Sequence, residues 1–132
     1  MNGLSGIKRL TIGALAAVSA LAVIAPVGVS ANDADVIRRG DCSGRTDWKL
    51  KASPENGRIE VEFEIDSSRA GRTWSIRMFQ NGNRFFIGNR TTDATGEIEV
   101  RFLRPNTIGP DTFKGRAINL TSGEVCVGRV TF

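Results

Sequence analysis

The sequence predicts an all-β protein, a seven-stranded, immunoglobulin-like antiparallel sandwich that follows a cleaved secretion signal. Apolar residues recur at every second position in several segments, which is the period of a half-buried strand. Turn signals separate these segments at intervals of roughly 8 to 14 residues, a spacing typical of small sandwiches. The chain has 132 residues, enough for one such domain after the signal is removed. A small closed β-barrel is the alternative fold.

Residues 1–31 have the pattern of a secretory signal peptide. Lys8 and Arg9 form the positively charged start, residues 11–24 form a nearly unbroken apolar run, and Val29-Ser30-Ala31 offers small residues for cleavage. We expect cleavage after Ala31 and therefore a secreted, extracellular protein. A retained membrane anchor is disfavoured, because the run is shorter than the ~20 residues that a spanning helix needs and is interrupted by Pro26.

After the signal we expect a polar lead over residues 32–41 and a single domain over residues 42–132. The domain contains two cysteines, Cys42 and Cys126. An exported protein folds in an oxidising compartment, so we expect these cysteines to form a disulfide that ties the ends of the domain together. In the chain-entropy picture a loop of this length contributes on the order of 4 to 5 kcal/mol, an upper figure. Reactive or metal-binding thiols are disfavoured, because neither Cys has a CxxC partner and the chain has no His.

The first two predicted strands carry the clearest alternation in the chain. The turn between them is predicted at residues 53–57, which are rich in turn-forming residues. A hairpin with Leu50 opposite Val61 buries the apolar side chains and places Lys49 opposite Glu62 on the outer side. The inward residues of these two strands are Trp48, Leu50, Ala52, Ile59, Val61, Phe63 and Ile65.

The third and fourth predicted strands are joined at Asn81-Gly82. This dipeptide is a strong hairpin signal, because both residues tolerate the positive φ of a type I′ turn. The turn sets Met78 opposite Phe85 and Ile76 opposite Ile87 on the buried face. The residues left on the other face are Arg77, Phe79, Arg84 and Phe86.

Three further strands complete the predicted sandwich. The fifth shows the same alternation over residues 97–102, the sixth runs over about residues 112–119, and the seventh covers residues 124–132. A short turn between the last two strands pairs Ala117 with Cys126 on the inner face. We therefore expect one domain without internal repeats.

Several short motifs have a familiar arrangement. They are Cys42-Ser43-Gly44, Asp47-Trp48-Lys49-Leu50-Lys51, residues 57–64, Thr73-Trp74 and Ser122-Gly123-Glu124-Val125-Cys126. With them, most of residues 42–132 resembles small secreted, disulfide-containing β-sandwich proteins of actinobacteria, such as the streptomycetes. The resemblance implies bacterial export, and it carries over no catalytic or binding residues.

The candidate binding site is a sheet face rather than a motif. If the third, fourth, sixth and seventh predicted strands share a sheet, cationic and aromatic side chains meet on its outer face, while the other sheet carries glutamates. The predicted binding residues are Arg77, Phe79, Arg84, Phe86, Lys114, Arg116 and Arg129, accompanied by Ile118, Val125 and Val127. Arginine binds phosphate or carboxylate through a planar fork and stacks on aromatic rings. We therefore expect a binding module for an anionic cell-envelope polymer or a protein partner. Ordinary surface charge beside cross-strand Phe packing is the plainer interpretation.

Composition and patterning exclude several kinds of catalytic site. Without His the chain cannot form a Ser-His-Asp or Cys-His arrangement. Glu60, Glu62 and Glu64 share a strand face, but an open face beside lysines keeps carboxylates ionised, whereas a glycosidase needs one of them protonated. No acidic segment has the spacing of a calcium loop. We therefore expect no enzymatic activity, no metal site and no cofactor.

Other kinds of partner give a second functional hypothesis. The chain could be a secreted inhibitor or a small-ligand carrier that uses an apolar cleft between the sheets. A neutral-sugar lectin is disfavoured, because the chain has no Tyr and both Trp48 and Trp74 are predicted to point inward. We expect no specific nucleic-acid recognition, no membrane attachment after cleavage, and a monomer.

Overall fold

The computed structural model describes residues 34–132, which fold into two four-stranded antiparallel sheets. The strands are β1 (Val36–Asp41), β2 (Asp47–Glu55), β3 (Arg58–Asp66), β4 (Thr73–Gln80), β5 (Asn83–Thr91), β6 (Glu97–Pro105), β7 (Thr112–Asn119) and β8 (Val125–Thr131). The predicted signal peptide and its cleavage site after Ala31 lie outside the described residues. Within those residues, no helix has the length and apolar character needed to span a membrane.

The strand order is that of a sandwich. One sheet has the order β1-β2-β3-β6 and the other has the order β5-β4-β7-β8. No strand pairing among residues 34–132 joins the two sheets, so the sandwich is confirmed and the closed barrel is wrong. The predicted third, fourth, sixth and seventh strands do share a sheet. Apart from β1, the strands follow an immunoglobulin-like order in which β5 lies beside β4 in the sheet of β7 and β8.

The structure has eight strands instead of the predicted seven, because β1 occupies most of the predicted polar lead. Val36 pairs with Ala52 at one end of β1, and Asp41 pairs with Asp47 at the other. The sequence of β1, VIRRGD, lacks the apolar alternation that marks the other strands. An edge strand of this kind is stabilised by its partner strand rather than by its own pattern. The folded domain therefore begins before residue 42.

The hairpin of β2 and β3 has the predicted faces but a different register. Leu50 lies opposite Phe63 rather than Val61. The turn consists of Asn56-Gly57 alone, both at positive φ, whereas the prediction assigned residues 53–57 to the turn. The longer strands shift the pairing by two residues. Because side chains alternate with a period of two, this shift leaves the inner and outer faces unchanged.

A bulge changes the pairing of β4 and β5. The predicted Asn81-Gly82 turn is confirmed, with both residues at positive φ. The register shifts just after Met78, which lies opposite Phe86 rather than Phe85. One extra residue on a strand exchanges its inner and outer positions beyond the bulge. Phe86 therefore faces the interior and Ile87 faces solvent, so both assignments in the prediction were wrong.

The inner faces of the two sheets form one hydrophobic core. Trp74, Phe63 and Phe113 are its largest fully buried side chains. Its other members are Leu50, Ala52, Ile59, Val61, Ile65, Ile76, Met78, Ile98, Val100, Ala117, Cys126 and Val130. The predicted inward residues of β2 and β3 thus face the core, which fills the space between the sheets.

Trp48 closes the core at the edge formed by β1 and β8. Its indole is partly buried and packs against the core. A Cβ atom at Gly40 would lie 2.7 Å from Cζ2 of this ring, and one at Gly128 would lie 2.6 Å from Cε3. Two glycines, one from each sheet, therefore give the ring its space. Both Trp48 and Trp74 point inward, as predicted.

The predicted disulfide between Cys42 and Cys126 is confirmed, and it lies at the same edge. Cys42 follows β1, and Cys126 in β8 lies opposite Ala117, also as predicted. Next to the disulfide, the amide of Ser43 donates to the Val125 carbonyl, and the Val125 amide donates to Ser43 Oγ. The disulfide and these hydrogen bonds hold the two sheets together along this edge.

Candidate functional site

The solvent side of the sheet β5-β4-β7-β8 contains most of the predicted binding residues. Side chains alternate along each strand, so about every second residue of these strands points outward. We call this surface the basic face. Its members are Thr73, Ser75, Arg77 and Phe79 on β4; Arg84, Ile87, Asn89 and Thr91 on β5; Thr112, Lys114, Arg116 and Ile118 on β7; and Val125, Val127, Arg129 and Thr131 on β8.

Cross-strand pairing arranges the cations of the basic face in two rows. The rows are Arg84–Phe79–Lys114–Arg129 and Ile87–Arg77–Arg116–Val127. Neighbouring residues within a row are about 5 Å apart, and the rows are separated by about 6 to 7 Å. Of the predicted binding residues, all but Phe86 lie on this surface. Their role in binding stays a prediction.

The positive charge of the basic face is uncompensated. No carboxylate is among its members, and the ion pairs found within residues 34–132 all involve cations of the other sheet. The nearest acidic residues along the chain are engaged elsewhere. Asp111 is buried, and Glu124 accepts hydrogen bonds from Thr46. The clustered positive charge therefore produces a field that attracts anions.

Arg77 and Arg116 form the centre of the basic face. They lie directly opposite each other on β4 and β7, and like charges in this position destabilise a sheet. The Nε atom of Arg77 is buried and has no hydrogen-bond partner among the described residues. Leaving such a donor unsatisfied costs about 1 to 3 kcal/mol. An anion bound between the two side chains would offset the repulsion between their charges.

Phe79 is the aromatic residue in the row Arg84–Phe79–Lys114–Arg129. The Lys114 ammonium lies 5.1 Å from the centre of the Phe79 ring, within the range of a cation–π contact. Both side chains are half-buried, so the lysine charge and the aromatic ring lie side by side at the surface. The row thus combines fixed positive charge with an apolar surface.

Phe86 is the one predicted binding residue that does not lie on the basic face. It belongs to an aromatic cluster at the edge formed by β5 and β6. Its ring centre lies 4.8 Å from that of Phe102, and the Phe85 ring contacts Phe102 edge-on at 5.4 Å. Guanidinium groups lie near both rings, Arg104 at 4.1 Å from Phe85 and Arg90 at 5.2 Å from Phe86. These contacts connect the two sheets, so Phe86 stabilises the sandwich instead of lining the basic face. The sequence did not reveal the cluster, because it depends on the bulge.

The opposite sheet carries an acidic face on which four glutamates form ion pairs. Lys49 lies opposite Glu64 rather than the predicted Glu62, but its Nζ contacts both carboxylates, at 2.8 and 3.4 Å. Arg101 binds Glu62 at 2.9 Å and Glu99 at 2.8 Å. The outward glutamates predicted for this sheet are Glu60, Glu62, Glu64, Glu97 and Glu99, and all of them lie on this face. The domain therefore has one basic and one acidic face.

Glu62 is the most buried carboxylate of the acidic face, with its side chain 5% exposed. Burial by itself would raise the pKa of Glu62, but the positive charges of Lys51, Lys49 and Arg101 outweigh burial and lower it. Oxygen atoms of Glu62, Glu64 and Glu99 lie within 4.8 Å of one another. Because lysine and arginine side chains already contact these carboxylates, we assign no metal site here.

A cleft of about 570 Å³ opens between loops at one end of the sandwich. It is lined by Arg45, Thr46, Ser67, Ser68, Arg69, Arg72, Asn119, Thr121, Ser122 and Glu124. The sequence did not predict this cleft, because the lining segments are far apart in the chain and come together only in the folded sandwich. Since core side chains fill the space between the sheets, the cleft is also where a small ligand would find room.

No family model, curated protein or solved structure matches this chain. The resemblance to secreted actinobacterial proteins, which depends on short motifs such as Cys42-Ser43-Gly44, therefore stays a prediction. Evidence for a function comes from the charge and geometry of residues 34–132.

Proposed function

We propose that this protein is a small secreted binding module that engages an anionic cell-envelope polymer through the basic face. The observation that carries the proposal is the Arg77–Arg116 pair, in which two arginines occupy directly opposite positions on neighbouring strands of a face without carboxylates. The pair is unfavourable by itself. A phosphate or carboxylate group that bridges it gains charge-assisted hydrogen bonds and neutralises the repulsion.

The basic face is an open sheet surface, and none of its cations lines either of two pockets found in the described residues, which favours an extended ligand over a small one. A small anion on an open sheet stays largely in water and makes few contacts. A polymer with repeated charges can contact both rows at once, and several weak contacts then act together. Ile87 and Val127 flank the arginine pair and are 52% and 37% exposed. They offer apolar contact to the uncharged parts of the polymer.

An extracellular location is part of the proposal. The signal-peptide pattern of residues 1–31 suits export, and a disulfide such as Cys42–Cys126 persists in an oxidising compartment. In the envelope of a Gram-positive bacterium, the obvious anions are wall teichoic acids and acidic polysaccharides. A secreted protein with an acidic surface patch is the alternative partner.

Co-sedimentation of the purified, oxidised protein with Gram-positive cell walls tests the proposal. The measurement compares intact walls with walls stripped of teichoic acid, each at about 0.05 M and about 1 M salt, where screening lengths differ several-fold. We expect binding to intact walls at low salt and loss of binding at high salt. We also expect loss of binding in the variant Arg77→Glu/Arg84→Glu/Arg116→Glu.

A matched variant separates the basic face from overall charge. Arg38, Arg39 and Arg58 are exposed, lie outside the basic face and make no ion pair with the described residues. The variant Arg38→Glu/Arg39→Glu/Arg58→Glu changes the net charge by the same amount and should retain wall binding. Equal loss in both variants would assign binding to net charge alone. No wall binding by the unmodified protein at either salt concentration would overturn the proposal and direct attention to protein partners.

A further inference from the structure

The cleft at the end of the sandwich differs from the basic face in shape and in composition. It is concave, has a volume of about 570 Å³ and is lined by Arg45, Arg69 and Arg72 among other residues. This volume falls within the range that small-molecule sites occupy. The basic face ends on this side at Ile118 and Val125. Neither residue lines the cleft. The cleft is therefore a separate surface.

The first loop of the cleft, residues 42–46, is firmly held. The Thr46 hydroxyl donates to Glu124 Oε1 at 2.6 Å, and the Thr46 amide donates to Glu124 Oε2 at 3.0 Å. The Cys42–Cys126 disulfide anchors the other end of the loop. Both oxygens of the Glu124 carboxylate thus accept hydrogen bonds from the scaffold and help to fix the position of Arg45.

The second loop, residues 67–72, is fixed against the segment that precedes β6. Thr92 Oγ1 donates to the Arg69 carbonyl at 2.6 Å and accepts from the Arg72 amide at 2.8 Å. Ser67 Oγ donates to the Gly96 carbonyl at 3.0 Å. The backbone atoms from which the Arg69 and Arg72 side chains extend are therefore held in place.

The third loop, residues 120–124, is organised by one side chain. Asn119 Oδ1 accepts from the amides of Thr121 and Ser122 at 2.9 and 3.0 Å. The Thr121 hydroxyl makes no hydrogen bond with the described residues, and Ser122 Oγ accepts from the Glu124 amide, which leaves its own proton free to donate. This loop therefore presents two hydroxyl donors at the cleft.

The guanidinium groups of the cleft have no partner within residues 34–132. Arg45, Arg69 and Arg72 are exposed, and their side chains form no ion pair or hydrogen bond with the described residues. Glu124 is the one carboxylate in the lining, so positive charge exceeds negative charge by two. The loops are held by hydrogen bonds, and the guanidinium groups that they carry are unpaired within the described residues. Such a site can bind an anion with little loss of backbone conformational entropy.

We propose that this cleft binds a small ligand that carries a phosphomonoester, with its hydroxyl groups directed to Thr121 and Ser122. A phosphomonoester near neutral pH carries a charge of about −1.5 to −2, which matches the excess charge of the cleft. Any two of its three terminal oxygen atoms can accept a pair of hydrogen bonds from one guanidinium group. The site is independent of the proposed polymer surface.

Amide chemical shifts in NMR spectra of the purified, oxidised protein test this inference. The probes are inorganic phosphate and glycerol 3-phosphate, and uncharged glycerol is the control. We expect both anions to shift amides of residues 45–46, 67–72 and 119–124, with glycerol 3-phosphate binding more tightly than phosphate. Glycerol alone should shift none of them at the same concentration.

Two matched variants locate the binding. Arg45→Gln/Arg69→Gln/Arg72→Gln should weaken glycerol 3-phosphate binding by at least about tenfold, since each lost charge-assisted contact contributes more than 1 kcal/mol. Arg77→Gln/Arg84→Gln/Arg116→Gln, which removes the same charge from the basic face, should leave the affinity within about twofold. The three cleft arginines are exposed, so their substitution should leave the fold intact, and an unchanged amide spectrum away from the substituted residues checks this point for both variants.

Three results would overturn the inference. They are anion-induced shifts confined to the basic face, an affinity that the cleft variant does not change, and equal shifts with glycerol. None of these results would contradict wall binding, which depends on the basic face, and shifts confined to that face would support it. Failure of the cleft site and failure of the polymer proposal are therefore distinguishable.

Discussion

At the scale of single residues, Arg77 and Arg116 show a conflict between stability and the proposed function. A sheet is more stable with opposite charges at such a position. The other sheet also has like-charged neighbours, since Glu64 lies opposite Glu99, but there Lys49 and Arg101 contact these carboxylates and offset the repulsion. On the basic face two arginines lie opposite each other, and neither forms an ion pair with the described residues. Residues that lower stability in the free protein are expected where a ligand supplies the missing partner.

Replacing Arg116 with Glu should therefore stabilise the free protein while it abolishes polymer binding. The new carboxylate would pair with Arg77, and an opposite-charge pair contributes about 0.2 to 1 kcal/mol. Urea titration gives the free energy of unfolding for the protein, for Arg116→Glu and for Arg116→Gln. We expect Arg116→Gln to fall between the other two. A less stable Arg116→Glu protein would show that the pair is already compensated.

Asp111 is a residue whose role is structural. It is fully buried, and its carboxylate accepts from Gln80 Nε2, Asn81 Nδ2 and both the amide and hydroxyl of Thr107, at 2.7 to 3.0 Å. Burial by itself would raise the pKa of Asp111, but the hydrogen bonds from Thr107 and Gln80 outweigh it and lower the pKa. The ionised carboxylate thus fixes the end of the sandwich opposite the cleft.

Asp111→Asn should lower the free energy of unfolding by about 1 to 3 kcal/mol at neutral pH, because the amide group would face hydrogen-bond donors. A carboxylate whose pKa is lowered by folding stabilises the protein above its ordinary pKa, here 3.8, and this contribution is lost as the pH falls through the lower native pKa. The difference between the two proteins should therefore shrink below about pH 3.8. Urea titrations across this range measure it. A difference that does not change with pH would mean that the carboxylate does not titrate as described.

At the scale of elements, regular alternation made β3 predictable, and local exceptions made β1 and β5 difficult. The inner and outer faces of β3 follow directly from its sequence, because four apolar residues alternate with acidic ones. In β5 the three consecutive apolar residues Phe85, Phe86 and Ile87 fit either face, and a one-residue bulge decides between them. The basic face was therefore largely predictable, since its cations lie on regularly alternating strands. The cleft was not, because it is assembled from loops.

The contact between strands β1, β2 and β8 depends on the space around Trp48. Gly128→Ala should lower the free energy of unfolding by about 1 to 3 kcal/mol, because the added methyl group would overlap the indole ring. A smaller side chain at position 48 should relieve this overlap. In a double-mutant cycle with Trp48→Leu, the combined cost should therefore be smaller than the sum of the single costs. Additive costs would indicate that the ring does not contact Gly128.

At the scale of the whole domain, its two lateral edges are closed in different ways. The edge of β1 and β8 is closed by the Cys42–Cys126 disulfide and by Trp48. The edge of β5 and β6 is closed by the aromatic contacts of Phe85, Phe86 and Phe102. The sequence predicted the disulfide from the number of cysteines and from the expectation of export. The aromatic edge required knowledge of which strands lie side by side.

Removing the disulfide should destabilise the domain without disturbing the basic face. We expect Cys42→Ser/Cys126→Ser to lower the free energy of unfolding by about 2 to 5 kcal/mol. Urea titration of the variant, beside the protein with and without reductant, measures this change. Under conditions where it is folded, the variant should bind walls as the unmodified protein does. Unchanged stability would mean that hydrogen bonds such as those between Ser43 and Val125 already hold this edge.

The separation of charge between the two sheets also gives the domain an electric dipole perpendicular to its sheets. Near a negatively charged boundary, such a dipole experiences a torque that turns the arginine-bearing side toward the boundary before any contact forms. A molecule that lands in this orientation exposes its glutamate-bearing side to solvent. A second molecule approaching from solution then meets like charge on its own acidic side and attraction on its basic side. Adsorbed layers would therefore stack in one orientation, and their thickness would decrease as salt screens the dipole.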